Sequence, residues 1–126
     1  MMADADPTQK TRQDALREDV RFRLLRALAA NPGLSQRGLA EDVGVSLGAV
    51  NGLLNGLIET GLVQIRNAEA APGRFRFAYV LTRKGKAAKA RLAGGFLDRR
   101  RAEVQALTGE IAALEAELGQ SSDPPA

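Results

Sequence analysis

The sequence predicts a mainly α-helical chain with one small β-hairpin and a long C-terminal helix. Three observations predict it. Apolar residues recur at helical spacing over most of the chain, the period changes to two only between Val63 and Leu81, and two short capped helices follow one another across Gly44-Val45. At 126 residues the chain has the size of one compact domain with an appendage.

The first helix is read from Asp14. Leu16, Val20, Leu24, Leu25 and Leu28 share a face, Arg17, Arg21 and Arg26 stand between them, and Asn31-Pro32-Gly33 ends the run. Ser35 is an N-cap residue, and Leu34 before it lies at the hydrophobic-staple distance from Leu39, which predicts a helix over 36–43 with Leu39, Ala40 and Val43 inside and a stop at Gly44. The pattern then repeats. Val45 precedes the cap Ser46, Val50 takes the staple position, and Val50, Leu53, Leu54, Leu57 and Ile58 form one stripe that ends at Gly61, placing the third helix over 46–60. Two capped helices with a glycine where the chain must turn left-handed are the local chemistry of a helix-turn-helix.

Beyond Gly61, Val63 and Ile65 alternate with Gln64 and Arg66, and Phe75, Phe77, Tyr79 and Leu81 alternate with Arg74, Arg76, Ala78 and Val80. These are the strands of a hairpin. Asn67–Gly73, with Pro72-Gly73 as a turn signal, is expected as its loop, a wing over 67–74. Thr82 caps a last helix that opens with Arg83, Lys84, Lys86, Lys89 and Arg91 and continues to about Leu118, with a kink or break expected at Gly94-Gly95 because each glycine costs about 1 kcal/mol in a helix interior. The fold class is therefore a winged helix-turn-helix, mainly α with a small β-hairpin, carrying a coiled-coil-like C-terminal helix.

In that last helix Leu97, Val104, Ile111 and Leu118 repeat at one heptad position and Leu107 and Leu114 at the other, with Arg100 in the slot where a further apolar residue belongs. The heptads predict a homodimer, with packing back onto the parent domain as the alternative. A parallel pair would set Glu110 against Glu115 of the partner, whereas an antiparallel one brings Arg101 near Glu115. Four segments follow: a disordered lead over 1–13, a winged helix-turn-helix domain over 14–95, a dimerisation helix over 96–119 and a disordered tail over 120–126.

The net charge of +3 conceals a strong asymmetry: residues 66–101 sum to +9, while residues 1–19 sum to −2 and residues 102–126 to −5. A concentrated basic stretch is the footprint of a polyanion binder, since phosphate contacts release condensed counterions; an ordinary solvated basic face is the alternative. The chain has no Cys and no His, and no paired carboxylates, phosphate loop or nucleophile motif stands out, so no enzyme, cofactor or metal site is expected. No apolar run approaches a membrane span and the N-terminus lacks the apolar core of a signal peptide, which predicts a soluble cytoplasmic protein.

The order helix, helix, turn, helix, strand, wing, strand, helix resembles the winged-helix domains of MarR-type regulators. The strings DVRFRLLRALAANPGLSQRGLAEDVGVSLGAVNGLLNGLIETGLVQ and YVLTRKGKAAKARLAGGFLDRRRAEVQAL are similar to the exopolysaccharide-associated branch of that family. The resemblance implies a transcriptional regulator of polysaccharide-related genes that binds double-stranded DNA. Members of the branch tend to carry a basic residue and an aromatic in the reading helix where this chain has Ala49 and Gly52. The larger members bind small molecules beside an extensive helical dimer interface; this chain has little sequence before its first helix to build one, so no dedicated effector is expected.

With the apolar stripe of the third helix inside, its outer face presents Leu47, Gly48, Asn51, Gly52 and Asn55, with Ser46 and Ala49 near the N-terminus. Asn51 and Asn55 are one turn apart, and an Asn amide suits the N6/N7 edge of adenine; a solvated surface amide is the alternative for each. Gly48, Gly52 and Gly56 recur every four residues, which suits close backbone approach to DNA, close packing of another helix on Gly56, or simple tolerance. Arg37, Arg66, Arg74 and Arg76 are the expected phosphate and minor-groove contacts, with Lys84 and Lys86 reaching flanking phosphate. A winged-helix module that binds protein is the rival function, because the third helix carries no Lys or Arg.

Overall fold

Ser35 and Ser46 start the two central helices. In the computed structural model, which describes residues 7–71 and 74–122, both serines have extended backbone, and each Oγ accepts from the amide three residues on, Gly38 at 3.0 Å and Ala49 at 3.1 Å. The element order is α1 (Pro7–Ala30), α2 (Gln36–Val43), α3 (Leu47–Glu59), β1 (Val63–Ala71), β2 (Arg74–Leu81) and α4 (Arg83–Ser122). This is the expected winged helix-turn-helix with a two-stranded hairpin and a long last helix. The chain comprises two compact units, Met1–Ala93 and Gly94–Ala126.

Two left-handed glycines turn the chain. Gly44, at φ 82°, ends α2 with its N–H on the Ala40 carbonyl. Gly61, at φ 79°, ends α3: its N–H donates to Ile58 O, and the Leu62 N–H donates to Leu57 O at 2.8 Å. The second pattern brings Leu62 and Leu57, both buried, together over the helix end. Leu24, Leu25, Leu28, Leu39, Val50, Leu54 and Val63 are the most deeply buried side chains, so α1, α2, α3 and the base of the hairpin share one core.

The start of α4 is tied to the α3–β1 corner. Thr82 Oγ1 donates to Gly61 O at 2.6 Å and accepts from the Gly85 amide at 3.0 Å, and the Thr82 N–H donates to Leu62 O. Gly85 itself lies so close to the Leu62 carbonyl that a Cβ there would overlap its oxygen. β2 is docked on the other side by the Tyr79 N–H, which donates to Pro32 O at 3.2 Å.

Several expectations are corrected. α1 begins at Pro7, so residues 7–13 of the expected disordered lead are helical. Asp6-Pro7, a capping residue type followed by a proline whose missing N–H costs nothing at the first helical position, is the signal for that start. Leu16 is 64% exposed while Phe22 and Ala27, absent from the expected face, are buried. The expected wing loop is largely strand: β1 runs to Ala71, because Asn67, Ala68, Glu69 and Ala71 pair with Phe77, Arg76, Phe75 and Arg74, with a bulge between Glu69 and Ala71. Pairing with an aromatic-rich partner strand overrides the weak strand propensity of Asn-Ala-Glu-Ala-Ala. Ile65 and Phe77 alternate correctly but are exposed, so the hairpin leaves the core after Val63.

α4 is helical without a break through Gly94-Gly95, where a kink or break was expected. A run of Ala, Leu, Lys and Arg on both sides outweighs the glycine cost. The tail was expected from position 120, yet helix continues through Gln120–Ser122; positions 1–6, 72–73 and 123–126 of the expected lead, wing and tail lie outside the described residues.

The glycines divide into two kinds with opposite expected effects. Gly85→Ala, which sets a methyl against backbone, should destabilise unit 1 by about 1–3 kcal/mol. Gly48→Ala, whose Cβ would meet nothing within 4 Å, should stabilise it by about 0.5–1 kcal/mol. Urea denaturation followed by circular dichroism reads both; a Gly85→Ala variant as stable as the wild type would refute the packing described for Gly85.

Candidate nucleic-acid interface

The outer face of α3 is built by what the inner face buries. Val50, Leu54 and Leu57 are buried and Leu53 and Ile58 pack against them, which leaves Leu47, Gly48, Ala49, Asn51, Gly52 and Asn55 exposed, with Ser46 exposed at the cap. The face carries no ionised side chain. A Cβ at Gly48, Gly52 or Gly56 would meet no atom within 4 Å. Helix packing therefore does not account for Gly56, and nothing inside the chain requires the other two.

The two asparagines are not free-standing. Asn55 Nδ2 donates to Asn51 Oδ1 at 3.3 Å, and Asn51 Nδ2 donates to Gln36 Oε1 at 3.2 Å. Gln36 Nε2 in turn donates to the Tyr79 hydroxyl at 3.0 Å. Sequence reasoning missed Gln36 and Tyr79. Gln36 begins α2 and Tyr79 sits in the hairpin, 43 residues away, so only the fold brings them together.

Of the expected cationic contacts, Arg37 is exposed in the first turn of α2 and Arg66 is exposed on β1 opposite Ala78. Arg74 and Arg76 have backbone positions in β2, paired with Ala71 and Ala68; their side chains lie outside the described residues. Lys84 is used differently from expectation: its Nζ donates to Thr60 O at 3.0 Å, where a cation also complements the C-terminal end of α3. Lys86 is exposed.

In the second unit the heptad residues Leu97, Val104, Leu107, Ile111, Leu114 and Leu118 are 47–70% exposed, a stripe with no cover in the single chain. Arg100 occupies its heptad slot with the guanidinium 5.0 Å from the Phe96 ring centroid and paired to Glu103 at 2.6 Å.

The first unit also holds an open cavity of about 480 Å³. Phe22, Leu28 and Leu81 supply apolar wall, and Arg26, Lys86 and Lys89 line it as well. No effector pocket was expected, for want of sequence before the first helix to build a helical dimer interface beside it, whereas this cavity is assembled from α1, β2 and the first turns of α4. Among the described residues no cluster of metal-ligating side chains occurs, and no helix is long and apolar enough to cross a membrane.

This architecture is that of a DNA-binding module, and residues 17–64 match the family model described as winged helix-turn-helix DNA-binding. Among solved structures the chain is similar to MarR-family regulators. The transcriptional regulator MosR of Mycobacterium tuberculosis is 25% identical, with 94% of this chain and 96% of that one covered and a TM-score of 0.58. A MarR-family regulator of Silicibacter pomeroyi is 27% identical over 82% of this chain and 68% of that one, at a TM-score of 0.55. A second M. tuberculosis MarR-family protein, solved with p-aminosalicylic acid, is 26% identical over 82% and 78%, at 0.53. A search of curated proteins gives no match.

Proposed function

We propose that this chain is a MarR-type transcriptional regulator that binds double-stranded DNA as a homodimer in the cytoplasm, reading the major groove with α3 and the backbone and minor groove with the hairpin. The observation that carries the reading is the outer face of α3. It is a capped helix in a winged helix-turn-helix, with a solvent-facing surface of small residues and amides that no internal packing demands. Affinity comes from the basic stretch over 66–101, which includes Arg66, Arg74 and Arg76, with Arg37 adding a contact from α2; sequence preference comes from Asn51 and Asn55. Residues 14–95 act as the DNA-binding domain and 96–119 as the dimerisation segment. The similarity of the two quoted strings to the exopolysaccharide-associated branch supports polysaccharide-related target genes.

Arg74→Ala should weaken binding to every duplex and lower the slope of log K against log salt by about one unit. Asn51→Ala should instead change which sequences are preferred. Fluorescence anisotropy over a salt series, on specific and random duplexes, separates the two; identical behaviour of both variants would sink the assignment. An absence of salt-dependent DNA binding altogether would favour the protein-interaction reading.

The heptad stripe supports dimerisation through the last helix, in antiparallel orientation because of Glu110 and Glu115. Replacing Leu107 and Leu114 by Asp should convert the dimer to monomer in sedimentation analysis, with the first unit still folded. A variant that stays dimeric would place the interface elsewhere.

Ligand control is a second reading, favoured by the cavity lined by Arg26, Lys86 and Lys89. Apolar wall with three cations suits an organic anion of the kind bound by the M. tuberculosis relative. p-Aminosalicylate should raise the thermal midpoint of the wild-type chain and not of Arg26→Ala; an equal response of both would exclude this cavity.

A further inference from the structure

We infer that the base-reading element is not a pair of independent asparagines but the four-residue chain Asn55–Asn51–Gln36–Tyr79, with Asn55 as the reader and Gln36 and Tyr79 as positioning residues. The inference rests on the reading above, that α3 enters the major groove. The chain crosses three elements. It starts on the exposed face of α3, passes through the first residue of α2 and ends on β2.

Its polarity decides the roles. Every amide donates in the same direction, toward the hairpin. Asn51 thus has one N–H committed to Gln36 and its oxygen accepting from Asn55. Asn55, at the end, gives one N–H to Asn51 and keeps its carbonyl oxygen and the other N–H for a base. Those are the acceptor and donor that the adenine N6 and N7 edge requires. At the far end the Tyr79 hydroxyl accepts from Gln36 and keeps its own O–H to donate, which suits a phosphate oxygen.

The chain also answers a physical difficulty of this helix. An exposed Asn has a broad terminal torsion, and ordering it on binding costs free energy that must come from the contact it makes. On α3 each asparagine has a glycine three residues before it, Gly48 for Asn51 and Gly52 for Asn55, which sets no side chain against the amide, and Leu47 is the bulky exposed neighbour one turn before Asn51. Side-chain hydrogen bonds supply the order that packing does not. Tyr79 is itself held by its N–H on Pro32 O, so the end of the chain is fixed by backbone. Successive amide hydrogen bonds aligned in one direction polarise each other, so the end member is affected by loss of any link.

The test is selection from a randomised duplex DNA pool with the full chain, comparing wild type with Asn55→Ala, Asn51→Ala, Gln36→Leu and Tyr79→Phe. Asn55→Ala should abolish preference at one base pair of each half-site. Tyr79→Phe and Gln36→Leu should weaken preference at that same base pair by about 3- to 10-fold, a part of the about 5- to 150-fold that a good bidentate contact is worth. Binding to random duplex should stay within twofold for Gln36→Leu, and in an Asn55→Ala background Tyr79→Phe should cause no further change in the selected motif. In the free protein, the Asn55 side-chain amide resonances should shift in Tyr79→Phe, a change that removes one oxygen atom and leaves the ring.

If Asn55→Ala alters the selected motif while Gln36→Leu and Tyr79→Phe do not, the positioning roles are overturned and the major-groove reading stands. If neither asparagine alters the motif, or the wild type selects none, the reading itself has failed and this inference with it. A lowered thermal midpoint in Tyr79→Phe with an unchanged motif would assign the chain to stability alone.

Discussion

The DNA-binding unit depends on one close approach, that of the first turn of α4 to the carbonyl of Leu62. Gly85 permits it by having no Cβ, Thr82 holds it through Gly61 and Leu62, and Lys84 adds the Thr60 carbonyl. At this corner the chain leaves α3, enters the hairpin and later returns from it. Three elements therefore take their orientation from a few backbone groups, which are hydrogen-bonded where the corner lies against the apolar core. Leu62, closing over Leu57, makes the same residue both the end of α3 and part of that core.

From that constraint comes the separation of tasks across the surface. Fixing α3 by its buried stripe leaves an outer face of glycine, alanine and amide that lacks charge, while the basic residues lie in other elements. The basic stretch over 66–101 sits in the hairpin and in α4, and two of its cations already have partners within the chain. Lys84 is spent on the end of α3, and Arg100 on Phe96 and Glu103. Counting charges along a sequence overstates the number available to phosphate.

Most of the fold was legible in the residues. Ser35, Gly44, Ser46 and Gly61 bound the two central helices by local hydrogen bonding, which is why those boundaries were recovered to within a residue or two. The failures have local causes of their own. The start at Pro7 has no apolar face to mark it, and the strand over Asn67–Ala71 has weak propensity of its own. The exposed residues of α3 were legible too, since burying one helical stripe determines the other. The links among them were not.

By itself, then, the sequence determined the order and ends of the elements, the apolar stripe of each helix, and a chain without cysteine or histidine chemistry, because all of these depend on residues a few positions apart or on composition. The tertiary structure decided what depends on distant residues meeting. It set Gly85 against Leu62, extended β1 along β2, assembled a cavity from α1, β2 and α4, and joined Gln36 to Tyr79 across 43 residues. Hydrogen bonds between side chains on different elements have no period and no motif. Their partners are chosen by where packing leaves them.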